Sequence, residues 1–398
     1  MFSRLRRDPG GDPATFAGVG KKRGSGARGL RKSTCYGVSG ALIFVRIRQF
    51  LPSTASFLTS KLGFIVAAAI LSWLLASRVR LYALDKLLDI PNERSSHSRP
   101  TPRGGGLAIA VTSIGGVILT AVWHWISWDL AIALSGGGFM IAAVGWIDDH
   151  RDLPALTRFA VQFLAAGWAM YWLGGLHSLS LGSIVIPLGF VGTVLGTVGI
   201  VWAINLYNFV DGIDGLAAGE AVSTGVIGGL LLLGTGHVGM AMIALLIAAA
   251  NAGFLPLNWA PAKLFMGDVG SGMLGYLFAV LAIASENAGA VPILLWTLLL
   301  GAFVFDATVT LCRRIAHGER WYHAHHSHAY QRMVQAGRSH AQVSSTILAI
   351  NLVLAGLAIV AWLKPTLFLV AIAAGTILLS IIYLSVERIR PMHAPSRG

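Results

Sequence analysis

Long apolar windows of about 20 residues, separated by short polar stretches, dominate this chain. They fall near 62–77, 105–126, 130–147, 155–174, 186–205, 216–234, 238–257, 270–285, 291–312, 343–363 and 365–385, the first extending to about residue 84. In lipid the backbone hydrogen bonds must close within each segment, so windows of this kind cross a bilayer as helices. The expected fold class is an all-α polytopic membrane protein with about eleven transmembrane helices. Composition agrees: 55% of the 398 residues are hydrophobic and 12% charged, about half the charged share of a soluble domain. A soluble core is thereby excluded.

The polar stretches divide the chain into three parts: a basic tail over 1–60, a membrane domain over 61–386 and a short basic tail over 387–398. The net charge of +13 invites a nucleic-acid partner, but residues 1–60 hold 11 Lys/Arg against two Asp, so +9 sits in a Gly/Ser/Arg-rich tail. No nucleic-acid role is assigned. The tail is expected to be disordered up to about Lys32, and its apolar run Val38–Val45 is too short for a span. Cys35 and Cys312 form neither a disulfide framework nor a metal-ligand spacing.

Eleven spans place the connections on alternating sides. Of the 19 Lys/Arg after residue 60, 17 fall on or beside one set of connections, with Lys61 and Lys364 as the exceptions. The positive-inside rule makes that set cytoplasmic. The basic tail then lies on the opposite side, which fits an over-long start or an arm lying on anionic lipid. The polar clusters sort with the positive charge. A transporter would instead carry acids near the bilayer midplane, often in repeated halves. No internal repeat is present, and Glu220 and Asp306 are the only carboxylates expected well inside spans.

Five clusters carry the candidate chemistry. Asn205, Asn208, Asp211 and Asp214 recur every third residue between two apolar runs, with Gly212 and Gly215 allowing close backbone approach. Asp148 and Asp149 close the third span, and adjacent carboxylates call for a cation or a raised pKa; Mg²⁺ suits such oxygen ligands together with phosphate. Asp268 opens the eighth span, where it is a helix cap or a third carboxylate of a metal site; Asn258 and Lys263 precede it. The loop over 89–106 offers Arg94, Arg99 and Arg103 as phosphate donors. Finally Arg320, His325, His326 and His328 lie in the longest cytoplasmic loop, suited either to zinc or to a diphosphate.

Taken together, from about Asp89 to Gln331, these segments resemble the polyprenyl-phosphate N-acetylhexosamine-1-phosphate transferase superfamily. The resemblance implies a Mg²⁺-dependent enzyme, with Mn²⁺ as a substitute. It would transfer an N-acetylhexosamine 1-phosphate from a UDP-sugar to undecaprenyl phosphate in a bacterial inner membrane, releasing UMP on the cytoplasmic side. It implies catalytic roles for Asp148, Asp149, Asp211 and Asp214, and metal binding by Asp268 with Asp211. Substrate contacts are implied for Asn205, Asn208, Asn258, Lys263, Arg94, Arg103, Arg320, His325, His326 and His328. Asp152 stands where the peptidoglycan enzymes carry Lys, and Ser327 interrupts their His-His-His run. The strings Pro91–His97 and Ser327–Gln331 look more like the O-antigen or capsule branch that uses N-acetylfucosamine or N-acetylquinovosamine donors. Membrane lipid is an expected partner, and a homodimer is left open.

Overall fold

The computed structural model describes residues 38–89, 100–319 and 325–393, with side chains from Lys61 onward. The chain divides into two compact units, 1–57 and 58–398, and the second carries the site described below. The helices of the chain are α1 (Val38–Lys86), α2 (Gly106–Val122), α3 (Trp128–His150), α4 (Ala155–Leu173), α5 (Gly189–Val210), α6 (Leu216–Gly234) and α7 (Val238–Asn258). They continue with α8 (Asp268–Asn287), α9 (Ile293–Leu299), α10 (Gly301–Ala316), α11 (Ala329–Gln335), α12 (His340–Leu363) and α13 (Phe368–Ile389). Two small antiparallel hairpins complete the fold. One pairs β1 (Leu88–Asp89) with β2 (Thr101–Pro102), and the other pairs β3 (Ser178–Leu181) with β4 (Ile184–Pro187).

Each expected window falls on a helix, but the count of spans is smaller. Among the described residues eight helices are long and apolar enough to cross a membrane, or nine if the bent pair α9–α10 counts as one span. Helix α2 is 17 residues long, and α4 carries Arg158 and Gln162 on an otherwise apolar surface; neither qualifies. The window 291–312 is not one straight helix. It breaks at Leu300, and α9 and α10 meet at 84°. Asp306, expected well inside a span, lies on α10, and its carboxylate accepts the N–H groups of Ala329 (2.8 Å) and Tyr330 (3.2 Å) at the start of α11. Those bonds supply orphan donors of a helix N-terminus with an acceptor. Helix α1 begins at Val38, within the expected tail.

Helix α8 is the axis of the bundle. It buries 89% of its apolar window against its neighbours, whereas the first span buries 17%. Glycines permit this closeness. A Cβ on Gly145 of α3 would lie 2.6 Å from the Asp268 backbone, and one on Gly106 of α2 would lie 2.3 Å from Gly270 N. The start of α8 is thus pressed between α2 and α3, and the polar ends of α3, α5 and α8 come together.

Candidate active site

At that end of the bundle α3, α4, α5 and α8 enclose a cleft of about 80 Å³, which Asp148, Arg158, Gln162, Asn205, Asn208 and Asp268 line. The Asp148–Asp149 pair, expected to share a cation, is split by the helix itself, since consecutive residues do not share a helical face. Asp148 faces the cleft. Its Oδ1 accepts Leu153 N–H at 2.7 Å and its Oδ2 accepts Arg158 Nη1–H at 2.8 Å. Asp149 is 4% exposed and turned toward α8, accepting the N–H groups of Asp268 (3.1 Å) and Val269 (3.4 Å). It caps a helix other than its own, where a negative charge meets the positive end of the helix dipole. Arg103 closes over it, with Nε 3.8 Å from Asp149 Oδ1 and Nη2 donating to the Asp149 carbonyl. The two oxygens of Asp149, expected to act in catalysis, each hold the N–H of one of the first two residues of α8.

What Asp149 holds is Asp268, whose side chain is 37% exposed. Asn208 Nδ2–H donates to Asp268 Oδ1 at 2.9 Å, and Arg158 Nη1 stands 3.9 Å from Oδ2. Asn208 also reaches Ser271 Oγ at 3.0 Å, so its amide is oriented from two sides. Asn205 and Gln162 exchange hydrogen bonds across the cleft, at 2.7 Å and 3.4 Å.

Asp211, the C-cap of α5, is half-buried, and no hydrogen bond or ion pair reaches its carboxylate among the described residues. Burial, then the charges of Asp268, Asp149 and Asp214, pushes its carboxyl well above the ordinary range. Such a group is stabilised by an incoming cation.

Three further expectations change. Asp214 is not open: its side chain is 12% exposed, with Oδ1 3.2 Å from His340 Nδ1 and Oδ2 accepting Ala262 N–H at 3.0 Å. Asn258, 3% exposed, accepts Gly215 N–H at 3.1 Å and donates to the Leu264 carbonyl at 3.1 Å. It pins two loops together and leaves little surface for a substrate. Lys263 is exposed outside the cleft lining.

Among the described residues of the histidine loop, none lines the cleft either. His328 caps α11, 3% exposed, with Nδ1 3.6 Å from Asp306 Oδ1 and its ring stacked on Tyr330. His325 packs 4.8 Å from it; burial, then the charges of His328, Arg314 and His326, lowers its pKa to about 3, leaving the ring neutral at neutral pH. His326 is half-buried, and its carbonyl accepts Gln335 Nε2–H. The loop reaches the site through Tyr330, whose hydroxyl donates to the Phe209 carbonyl at 3.0 Å and covers Gly212. Arg94 and Arg320 lie outside the described residues.

Among the described residues no three His, Cys, Asp or Glu side chains converge as a ready-made metal site. The donor set nevertheless suits Mg²⁺. Asp268 and Asp211 are two carboxylates with room left on them, and Mg²⁺ typically takes one or two carboxylates and fills its shell with water and phosphate oxygens.

Sequence reasoning missed Arg158, Gln162, Ser271, Tyr330 and His340. A lone arginine and glutamine within the otherwise apolar window 155–174 was the one available signal, since polar groups at such depth are costly.

The fold and the cleft define a polytopic membrane protein with a cleft lined by carboxylate, carboxamide and guanidinium groups at one end of its helix bundle. Residues 131–286 match glycosyl transferase family 4. The chain is similar to a decaprenyl-phosphate N-acetylglucosaminephosphotransferase of Mycobacterium tuberculosis (strain CDC 1551 / Oshkosh), at 31% identity over 70% of this chain and 76% of the relative. It is 37% identical to the protein of the same name from Mycolicibacterium smegmatis, over 52% and 55%. An undecaprenyl-phosphate alpha-N-acetylglucosaminyl 1-phosphate transferase of Escherichia coli O157:H7 is 28% identical over 72% and 81%. The chain belongs to glycosyl transferase family 4.

Proposed function

We propose that this protein transfers an N-acetylhexosamine 1-phosphate from a UDP-sugar to a polyprenyl phosphate, undecaprenyl phosphate being the expected acceptor, and releases UMP. The observation that carries this reading is that Asp211, whose carboxylate has no hydrogen bond among the described residues, lies within electrostatic reach of the half-open Asp268 beside Arg158. Phosphoryl transfer is mostly positioning and charge neutralisation, so such a set suffices. Mg²⁺, or Mn²⁺ in its place, held by Asp268 and Asp211 would neutralise the diphosphate charge.

The chain's own groups do the rest. Asn208 fixes the rotamer of Asp268, and Asp148 steadies the Arg158 guanidinium. Arg158, 39% exposed on its side chain, is free to fork onto an incoming phosphate. A lipid phosphate monoester has a second pKa of about 6 and is largely ionised at neutral pH, so no strong base is required. The Lys/Arg distribution supports a cytoplasmic setting for this end of the bundle, with a bacterial inner membrane as the expected location. The relatives' names make N-acetylglucosamine the first donor sugar to test. N-acetylfucosamine and N-acetylquinovosamine follow, as donors for initiating a surface polysaccharide such as O-antigen or capsule.

The deciding experiment supplies purified protein with labelled UDP-sugars and undecaprenyl phosphate, with and without Mg²⁺. Label entering lipid together with UMP release, only with the cation, is the expected result. Label remaining on the nucleotide for every sugar tried refutes the reading.

A further inference from the structure

Asp214 and His340 are 126 residues apart in sequence and meet at the start of α12. His340 Nδ1 lies 3.2 Å from Asp214 Oδ1 and 3.4 Å from Asp214 N. A single ring nitrogen cannot donate to the first and accept from the second. The geometry makes the second the hydrogen bond: Asp214 N–H donates to Nδ1, and the carboxylate stands at ion-pair distance from the ring. The other oxygen, Oδ2, takes Ala262 N–H, and Ser344 Oγ, one turn after His340, donates to the Asp214 carbonyl at 2.8 Å. The carboxylate also sits by the N-terminus of α12, where the helix dipole favours negative charge.

Three segments therefore share this one acid. They are the turn that bears Asp211, the α7–α8 connection that leads to Asp268, and α12. Both side chains are nearly closed to solvent, at 12% for Asp214 and 14% for His340, which leaves little surface for a ligand.

We propose that Asp214 and His340 are positioning residues: the Asp214 carboxylate, with His340 holding the Asp214 N–H, sets Asp211 against Asp268 and touches no substrate itself. The proposal rests on the transferase reading for its activity test, and its structural half is measured without activity. Asp214→Asn keeps the acceptor for Ala262 N–H and the backbone N–H for the ring. Asp214→Ala loses the side-chain acceptor. His340→Asn and His340→Ala form the same pair on the other partner.

In the full-length protein, kcat and KM for the UDP-sugar are measured beside hydrogen exchange of the peptide over 211–216 and thermal unfolding. The two Asn variants should stay within about tenfold of the parent in kcat, the cost of about one imperfect hydrogen bond. The two Ala variants should lose on the order of 100-fold in kcat with KM little changed, the cost of a small misplacement. They should also exchange faster over 211–216, and the Ala double variant should be no worse than either single. An Asp214→Asn protein as inactive as Asp214→Ala would overturn the proposal, because the charge itself would then be needed. Unchanged exchange in both Ala variants would overturn it too. A parent protein that transfers no sugar phosphate defeats the transferase reading instead, and the exchange comparison still decides the joint.

Discussion

The carboxylates at the two ends of the bundle have opposite surroundings. At the end remote from the cleft, Glu286 is 3% exposed and both oxygens are filled, Oε1 by Ser180 N–H at 2.8 Å and Oε2 by Ile293 N–H at 2.7 Å. It ties the β3–β4 hairpin and the start of α9 to the end of α8. At the cleft end, Asp211 is half-buried with no such bonds among the described residues, and the half-open Asp268 accepts Asn208 Nδ2–H on one oxygen with Arg158 3.9 Å from the other. A buried carboxylate is tolerable when hydrogen-bonded and costly when not. What separates an acid of the framework from an acid of the site is therefore compensation, and neither location nor membership of a motif is enough. By that measure Asp149, Asp214 and Asp306 belong with Glu286, although all three lie at the cleft end.

The largest effect should come from neutralising the uncompensated acids. Asp268→Asn or Asp211→Asn should reduce sugar-phosphate transfer on the order of 1,000-fold, the scale of losing a principal charge-stabilising group. Melting temperature should hold or rise as like-charge repulsion is relieved; full activity in either variant would break the contrast. Arg158→Gln should cost roughly 100-fold in transfer, and Arg158→Lys should recover only part, because an ammonium cannot fork onto a phosphate.

Glu286→Gln inverts the pattern: transfer by the folded protein should match the parent, while unfolding free energy falls by about 1–3 kcal/mol as one backbone N–H loses its acceptor. The smallest effect concerns pH. Because the Asp211 carboxyl is raised above its ordinary 3.8, its contribution to stability is complete below that value and is lost as pH rises through the folded-state value. Saturating Mg²⁺ should therefore raise the melting temperature more at pH 8 than at pH 5. An equal rise at both would detach Asp211 from the cation.

Much of this was legible in the chain because membrane helices announce themselves by length and apolarity, and because Asn208, Asp211 and Asp268 stand at the ends of such runs. The illegible parts depend on which helix meets which. Asp148 and Asp149 look equivalent in sequence; only the contact of Gly145 with the Asp268 backbone turns one of them into a cap. Arg158 follows Asp148 by ten residues but needs the α3–α4 turn to reach it. His340 stood alone outside every motif and acquires its role from α12 packing beside the Asp214 turn. The break at Leu300 falls before Gly301 within a long apolar window, and the bonds from Asp306 to the start of α11 depend on how α10 then packs.

The capping of α8 by Asp149 has a consequence for ligand choice. A helix start with free N–H groups is a natural seat for phosphate. Here Asp149 already occupies the first two donors of α8, so an incoming anion finds that seat taken. A diphosphate arriving in this cleft must draw its positive partners from a metal and from guanidinium groups, and its grip on the protein should weaken sharply when the metal is chelated.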